Sequence, residues 1–193
     1  MKITESIVRA NAIQLIATHG FDSMSLRQLA KASGIHSGSL YVYYKNKDEI
    51  LLDLMHDYMD DLLSQWQEHK YNYSSASPRL MLEEFVRLHV SQHTSRAYES
   101  LIVNMDWRSL KGEGRTLIES LKEAYEAELK SILVMGSAQG IFHLEDISLT
   151  AASIISMLRG ACEWSCKDER LAKDKVSDGC SQMALRAVGL AAY

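Results

Sequence analysis

Apolar residues recur at three- and four-residue intervals along most of the chain, the spacing that places them on one face of an α-helix. Between Thr4 and His19 the positions Ile7, Val8, Ala12, Leu15 and Ile16 form such a face, and Gly20 ends the segment. Ser25 then precedes Leu26, Arg27 and Gln28. A serine hydroxyl there can accept from the amide three residues on while Gln28 reaches back, so a capping box opens a second helix with Leu29 and Ala30 inside. Gly34 supplies a turn, and a short helix from about Ser37 to Tyr43 follows almost at once. Asn46 and Glu49 form another capping pair, which starts a long helix through Ile50, Leu51, Leu54, Met55, Tyr58, Leu62 and Trp66. The polar, serine-rich stretch Tyr71 to Ser77 is the loosest connection, and Pro78 suits the first residue of the next helix. Helical spacing resumes over Arg79 to about Gln92, about Ser95 to Leu110, and Arg115 to about Met135, with breaks expected at Lys111 to Gly114 and at Gly136 to Gly140. Two last helices, roughly Ser148 to Cys166 and Leu171 to Leu190, are rich in small and apolar residues. The chain is therefore expected to be all-α, with two helical domains at 1–47 and 48–193.

Composition sharpens this reading. Apolar residues make up 47% of the 193 positions and there is a single proline, which agrees with helix rather than sheet. No apolar run approaches the roughly 20 residues that span a bilayer, and the first residues lack the pattern of a secretory signal, so a cytoplasmic protein with no membrane partner is expected. Cys162, Cys166 and Cys180 are an odd set within amphipathic segments, and reduced thiols are the simple expectation. The net charge of −4 is unevenly spread. Residues 1–47 hold Lys2, Arg9, Arg27, Lys31, Lys45 and Lys47 against Glu5 and Asp22, a net of +4, which leaves −8 for the remainder. A basic head on an acidic body fits a chain whose first part meets phosphate.

A DNA-reading helix must be short, leave its first turn open to base edges, and be braced by a preceding helix through a tight turn. Residues 25–44 meet these demands. The segment from Ser25 to Lys47, with Gly34, Ser39-Leu40-Tyr41 and Lys47, closely resembles the DNA-binding head of the TetR family of transcriptional regulators, over about residues 4 to 55. The resemblance implies an N-terminal three-helix helix-turn-helix domain and a C-terminal helical ligand-binding and dimerisation domain. It also implies roles for particular residues. Ser37, Gly38 and Ser39 begin the recognition helix, where small side chains let the backbone approach the major groove. Tyr41 and Tyr43 look like phosphate and base contacts, and Leu40 and Tyr44 should pack inward. Lys47 stands at the start of the fourth helix, where its ammonium and the free amides converge on a phosphate, and Arg27 projects toward the DNA backbone or a groove edge. Two positions depart from the family pattern: His36 stands where a serine or threonine cap is frequent, and Ser37 where lysine or arginine is common.

Farther along, Arg115, Ile118, Tyr125, Leu129, Ile132, Leu133, Gly136, Gly140, Phe142, Asp146, Leu149, Ile155, Leu158, Gly160 and Trp164 form a spaced pattern. It is similar to that of TetR relatives that respond to acyl-CoA thioesters, including repressors of fatty-acid and sterol catabolism. The resemblance implies a small hydrophobic effector, an acyl-CoA, as ligand. Met105, Trp107, Leu121, Tyr125, Met157 and Trp164 would wall its cavity, and Arg108, Arg115 and Arg159 would meet its phosphates. The resemblance further implies a homodimer built through the last two helices, an operator in the form of an inverted repeat, and release of the operator by the ligand.

Other chemistries find less support. There is no nucleophile elbow, no phosphate-cradling glycine loop and no zinc-protease pair, so an enzyme is not expected, nor is a cofactor. His89 and His93 lie four apart on one helix face, the spacing of a metal pair, but no third ligand is placed with them and no metal site is expected. Cys162 and Cys166 share that spacing, and small neighbours such as Gly160 and Ala161 favour buried thiols. The rival reading is a helical adaptor without a pocket, whose body binds another protein.

Overall fold

The computed structural model describes residues 3–73, 76–167 and 173–190, with side chains described throughout except at 3, 4, 161–167 and 173. Among the described residues there is no strand. The helices are α1 (Ile3–His19), α2 (Leu26–Ala32), α3 (Ser37–Leu40), α4 (Lys47–Asn72), α5 (Pro78–Ser95), α6 (Ala97–Met105), α7 (Gly112–Ala138), α8 (Ile147–Lys167) and α9 (Lys173–Ala187), with one turn of 3-10 helix at Trp107–Ser109. They form two compact units, one of Met1–Asp60 with Tyr98–Ser120, the other of Asp61–Ala97 with Leu121–Tyr193. Compactness thus divides the chain elsewhere than at 47/48, and both α4 and α7 contribute to both units.

Local signals set most helix ends. The Ser25 hydroxyl accepts from the Gln28 amide and the Gln28 side chain accepts from the Ser25 amide at 2.8 Å, so the expected capping box opens α2. Gly34 ends it: at φ +67° it takes the left-handed conformation, and the Ile35 amide reaches back to the Ala30 carbonyl at 3.0 Å. Ser77 caps α5 through the Leu80 amide, with Pro78 at its start.

In the first unit, Val8, Ala12 and Ile16 of α1 are fully buried, one turn apart, with Leu29, Leu40, Ile50, Leu51, Leu54 and Met55. In the second, Trp66 of α4 meets Phe85 of α5 edge-on at 4.9 Å, and Phe85 stacks on Tyr125 of α7 at the same separation. Helix α5 packs against both α8 and α9. Each large aromatic side chain buried in this way stabilises the unit by a few kcal/mol, about 1.5–3 for a fully buried Phe.

Two expected elements differ. The helix expected over 95–110 ends at Met105, because the Asp106 carbonyl accepts from the Ser109 amide at 2.9 Å and tightens the chain into a 3-10 turn. Gly136, expected to break a helix, lies buried inside α7, which runs to Ala138. Its role is close approach, since the Phe142 ring occupies the volume a Cβ would need, and the Ile141 and Phe142 amides both donate to the Gly136 carbonyl. Phe142 is only 2% exposed and has nowhere to retreat. Gly136→Ala should therefore destabilise the chain by about 1–3 kcal/mol, read as a lower urea midpoint at unchanged slope. An unshifted midpoint would mean that the ring relocates freely.

Candidate nucleic-acid interface and effector site

Helix α3 is a single turn, and its hydrogen bonding continues in tighter turns through Tyr43, whose amide donates to the Leu40 carbonyl at 3.0 Å, before the Tyr44 amide closes on the same carbonyl at 3.1 Å. Ser37, Gly38 and Ser39 are all exposed and Leu40 is fully buried. His36 takes the N-cap position without a side-chain bond to the helix, so the first-turn amides of α3 receive nothing from it. Tyr41 is 57% exposed, Tyr43 half-buried and Tyr44 buried, the inside-outside pattern expected for this segment. Arg27 on α2 is exposed. Val42, to which the sequence pattern assigns no role, has its apolar side chain 81% exposed beside Tyr41; its type points inward, and only the turn geometry turns it out.

What fixes this surface is a polar lock beneath it. The Tyr44 hydroxyl donates to Asp53 Oδ2 at 2.9 Å, Arg9 of α1 pairs with the same carboxylate, and the other Arg9 nitrogen reaches Asp57 at 3.0 Å. Burial, together with the neighbouring Asp53 charge, pushes the Tyr44 phenol up to about 12, so it stays a donor at any ordinary pH. Asn46 Oδ1 accepts from the Glu49 amide at 2.8 Å and the Glu49 carboxylate accepts from the Lys45 amide at 2.8 Å, which fixes the start of α4. Lys47 is more engaged than expected. Its ammonium donates to the Phe21 and Asp22 carbonyls, each at 3.3 Å, and lies 4.4 Å from the centre of the Phe21 ring.

The residues expected to bind an effector fall into separate groups. In the first unit, Arg108 and Arg115 flank the Trp107 ring at 5.1 and 5.2 Å, Arg115 also pairs with Glu119 at 2.9 Å, and Met105 stands 67% exposed. In the second unit Leu121, Met157 and Arg159 are half-buried and Tyr125 is buried. The side chain of Trp164 lies outside the described residues, as do those of Cys162 and Cys166; Cys180 is a buried free thiol, its pKa raised by burial.

Tyr125 joins two residues whose spacing alone suggests only a metal pair. His89 and His93 of α5 are 2% and 3% exposed and stack ring on ring at 3.8 Å. The His93 Nδ1 proton goes to the His89 carbonyl at 3.0 Å, and His89 Nδ1 meets the Tyr125 hydroxyl at 3.1 Å. Among the described residues no group of three potential metal ligands exists. Burial drives both imidazoles toward the neutral form: His93 falls to about 4 and His89 well below its usual value, with the charge of Arg159 acting in the same direction.

A glycine-turned pair of helices whose second member exposes its first turn on a basic head defines a DNA-binding transcriptional regulator of the helix-turn-helix class. The comparisons with known proteins agree. A family model described as bacterial regulatory proteins, tetR family, matches residues 8–54, and one described as tetracyclin repressor-like, C-terminal domain, matches 75–188. The chain belongs to the tetR family. It is 26% identical over 129 residues to the fatty acid metabolism regulator protein of Bacillus subtilis strain 168, a stretch that covers 67% of this chain and 66%, just under two thirds, of that relative. A tetR-family regulatory protein from Rhodococcus RHA1 has the same fold, with a TM-score of 0.93 at 21% identity over the whole of both chains. AibR, solved in complex with isovaleryl coenzyme A and operator DNA, gives a TM-score of 0.82 at 25% identity, covering 93% of this chain and 97% of its own. No helix among the described residues is long and apolar enough to cross a membrane.

The neutral histidine pair sets a pH dependence. An unfolded chain takes up protons on both imidazoles below about 6.5, whereas folded His93 does so only near 4. Between those values the unfolded state binds more protons, so this contribution to stability falls as the pH falls. Urea titrations should show a loss from pH 6.5 to 4 that is reduced in His93→Phe. Equal slopes in the two proteins would show that His93 is not held neutral.

Proposed function

We propose that this chain is a repressor that binds an inverted-repeat operator as a homodimer and is released by a small hydrophobic effector, an acyl-CoA thioester, in the cytoplasm. The observation that carries the DNA-binding part is the exposed Ser37-Gly38-Ser39 turn, flanked by exposed Tyr41 and seated on buried Leu40 and Tyr44. Small residues at the start of α3 let its backbone approach a groove floor, and their hydroxyls are donors and acceptors for bases or phosphates. Tyr41 and Tyr43 flank that turn as further contacts, Arg27 meets the DNA backbone, and Lys47 adds charge while bracing the loop at Phe21.

Dimerisation is assigned to α8 and α9. Along α8 the exposed positions Leu149, Ala152, Ser153 and Ser156 form a strip of small residues with one large apolar side chain, 66% exposed, and Met183 of α9 is 45% exposed. Small side chains allow two helices to approach closely, and a two-fold dimer then presents its recognition helices about 34–36 Å apart, one turn of DNA. The effector is assigned to Met105, Trp107, Arg108 and Arg115 of the first unit, whose two guanidinium groups at the Trp107 ring suit phosphate, and to Leu121, Tyr125, Met157 and Arg159 of the second, with Trp164 carried over from the sequence pattern. The isovaleryl coenzyme A complex of AibR and the named role of the Bacillus relative support this choice.

Selection from random duplexes should return an inverted repeat, and affinity should fall steeply with salt. Lys47→Ala should weaken binding to all duplexes alike, and removing one phosphate-neutralising cation should flatten the salt slope by about 0.9. Tyr43→Phe should change affinity for the selected site more than for random DNA. Variants indistinguishable from wild type would reject the contact assignment. Acyl-CoAs titrated into the operator complex should release DNA where bare CoA does not, and a tenfold loss of affinity needs only about 1.4 kcal/mol of coupling. Release by free fatty acids as readily as by thioesters would reject the CoA assignment.

A further inference from the structure

The second unit holds a polar cluster that its own core leaves incomplete. His89 Nε2 is wholly buried and has no hydrogen-bond partner. An unmet buried donor or acceptor costs about 1–3 kcal/mol, and replacing the ring by a hydrocarbon would remove that cost. Around it stand the stacked His93, the Tyr125 hydroxyl on the opposite ring nitrogen, and the apolar ring of Phe85. The half-buried Arg159 guanidinium acts electrostatically on both histidines, and the carboxylate that acts on it, Glu126, is already paired with Lys130 at 2.9 Å.

These facts restrict what the cluster can receive. Arg159 repels a cation, so neither a metal ion nor an ammonium group fits. The Tyr125 hydroxyl is able to donate to Nδ1; in that arrangement the single proton of the neutral His89 ring sits on Nε2 and makes that atom a donor. One imidazole donor and one guanidinium in an apolar setting match a lone oxygen of partial or single negative charge; a phosphate dianion would need more donors than these. We infer that His89, positioned by Tyr125 and His93, donates from Nε2 to the acyl oxygen of the effector, with Arg159 as the second, electrostatic partner. This deepens the proposed function and rests on it: the shared chemistry is a carbonyl or carboxylate oxygen at the head of an apolar chain, supplied by a thioester or by a free acid.

The test uses dodecanoyl-CoA, the dodecyl-CoA thioether that lacks the carbonyl oxygen, and dodecanoate, with the acyl carbon labelled with carbon-13. Wild-type protein should bind the thioester about tenfold more tightly than the thioether, and the labelled carbonyl should move downfield on binding. In His89→Phe the thioester should fall to the thioether's affinity and the downfield shift should vanish, while the melting temperature holds or rises. A purely structural histidine would instead lower the melting temperature and leave the thioester-to-thioether ratio alone. Equal affinity of wild type for the two CoA derivatives overturns the inference, without recourse to any variant, and leaves the acyl-CoA reading standing. Binding of dodecanoate alone, with the same shift and the same dependence on His89, supports the inference and removes the CoA part of the proposed function. Binding of none of the three overturns both.

Discussion

A helix of four residues cannot hold its own position. It buries one side chain, Leu40, and closes too few internal hydrogen bonds to offset the cost of fixing its backbone. The orientation of Ser37, Gly38 and Ser39 therefore depends on an anchor a few positions farther along the chain, and that anchor is Tyr44. Its hydroxyl is bound to Asp53 on α4, and that carboxylate is bound to Arg9 on α1. Three segments are tied at one carboxylate. The Tyr44 phenol is held far from ionisation, and Arg9 is drawn to Asp53 and Asp57 together, so the lock does not change state across the neutral range. The exposed first turn can then be made of the smallest residues, because none of them is needed to hold the helix.

The parts of this arrangement that are written locally could be read from the sequence. The Ser25 to Gln28 capping box, the turn at Gly34, Asn46 at the head of α4 and Pro78 at the head of α5 each depend on residues within a few positions of one another, and the structure forms all four. Features that arise from packing could not be read in the same way. Gly136 has the local signature of a breaker, yet the Phe142 ring makes it a point of close approach within a continuous helix. Val42 has the type of a core residue and lies on the surface. The pairing of His89 and His93 was visible as spacing, but their meaning depends on Tyr125, 36 positions away from His89, and on Arg159 of a third helix.

The second unit contrasts two ways of burying polarity between α-helices. Glu128 of α7 accepts from Trp66 Nε1 at 3.0 Å, Gln67 at 2.8 Å and Lys70 at 2.7 Å, all from α4. Partial burial works against its charge, but three donors outweigh that, and its pKa is lowered. Here the carboxylate and its donors satisfy one another. The histidine cluster is the opposite case, since its ring nitrogen on the Tyr125 side is satisfied and the other is not. A closed polar cluster fixes geometry, whereas an open one carries the desolvation cost of its unmet group.

Both the lock at Tyr44 and the cluster at Glu128 draw on residues of α4. It is one helix of 26 residues, about 39 Å long, that begins at Lys47 in the head and carries Trp66 and Lys70 near its other end. Lys47 is bonded to the loop at Phe21 and Asp22, and Trp66 and Lys70 are bonded to Glu128. Displacing either end of α4 breaks identifiable hydrogen bonds at that end. For an effector to lower operator affinity it must favour one of two such arrangements over the other, and a ligand with equal affinity for both would change nothing. Exchange of one or two charge-assisted bonds at either end is worth about 1.5–3 kcal/mol each, which is the scale that a tenfold to hundredfold change in DNA affinity requires.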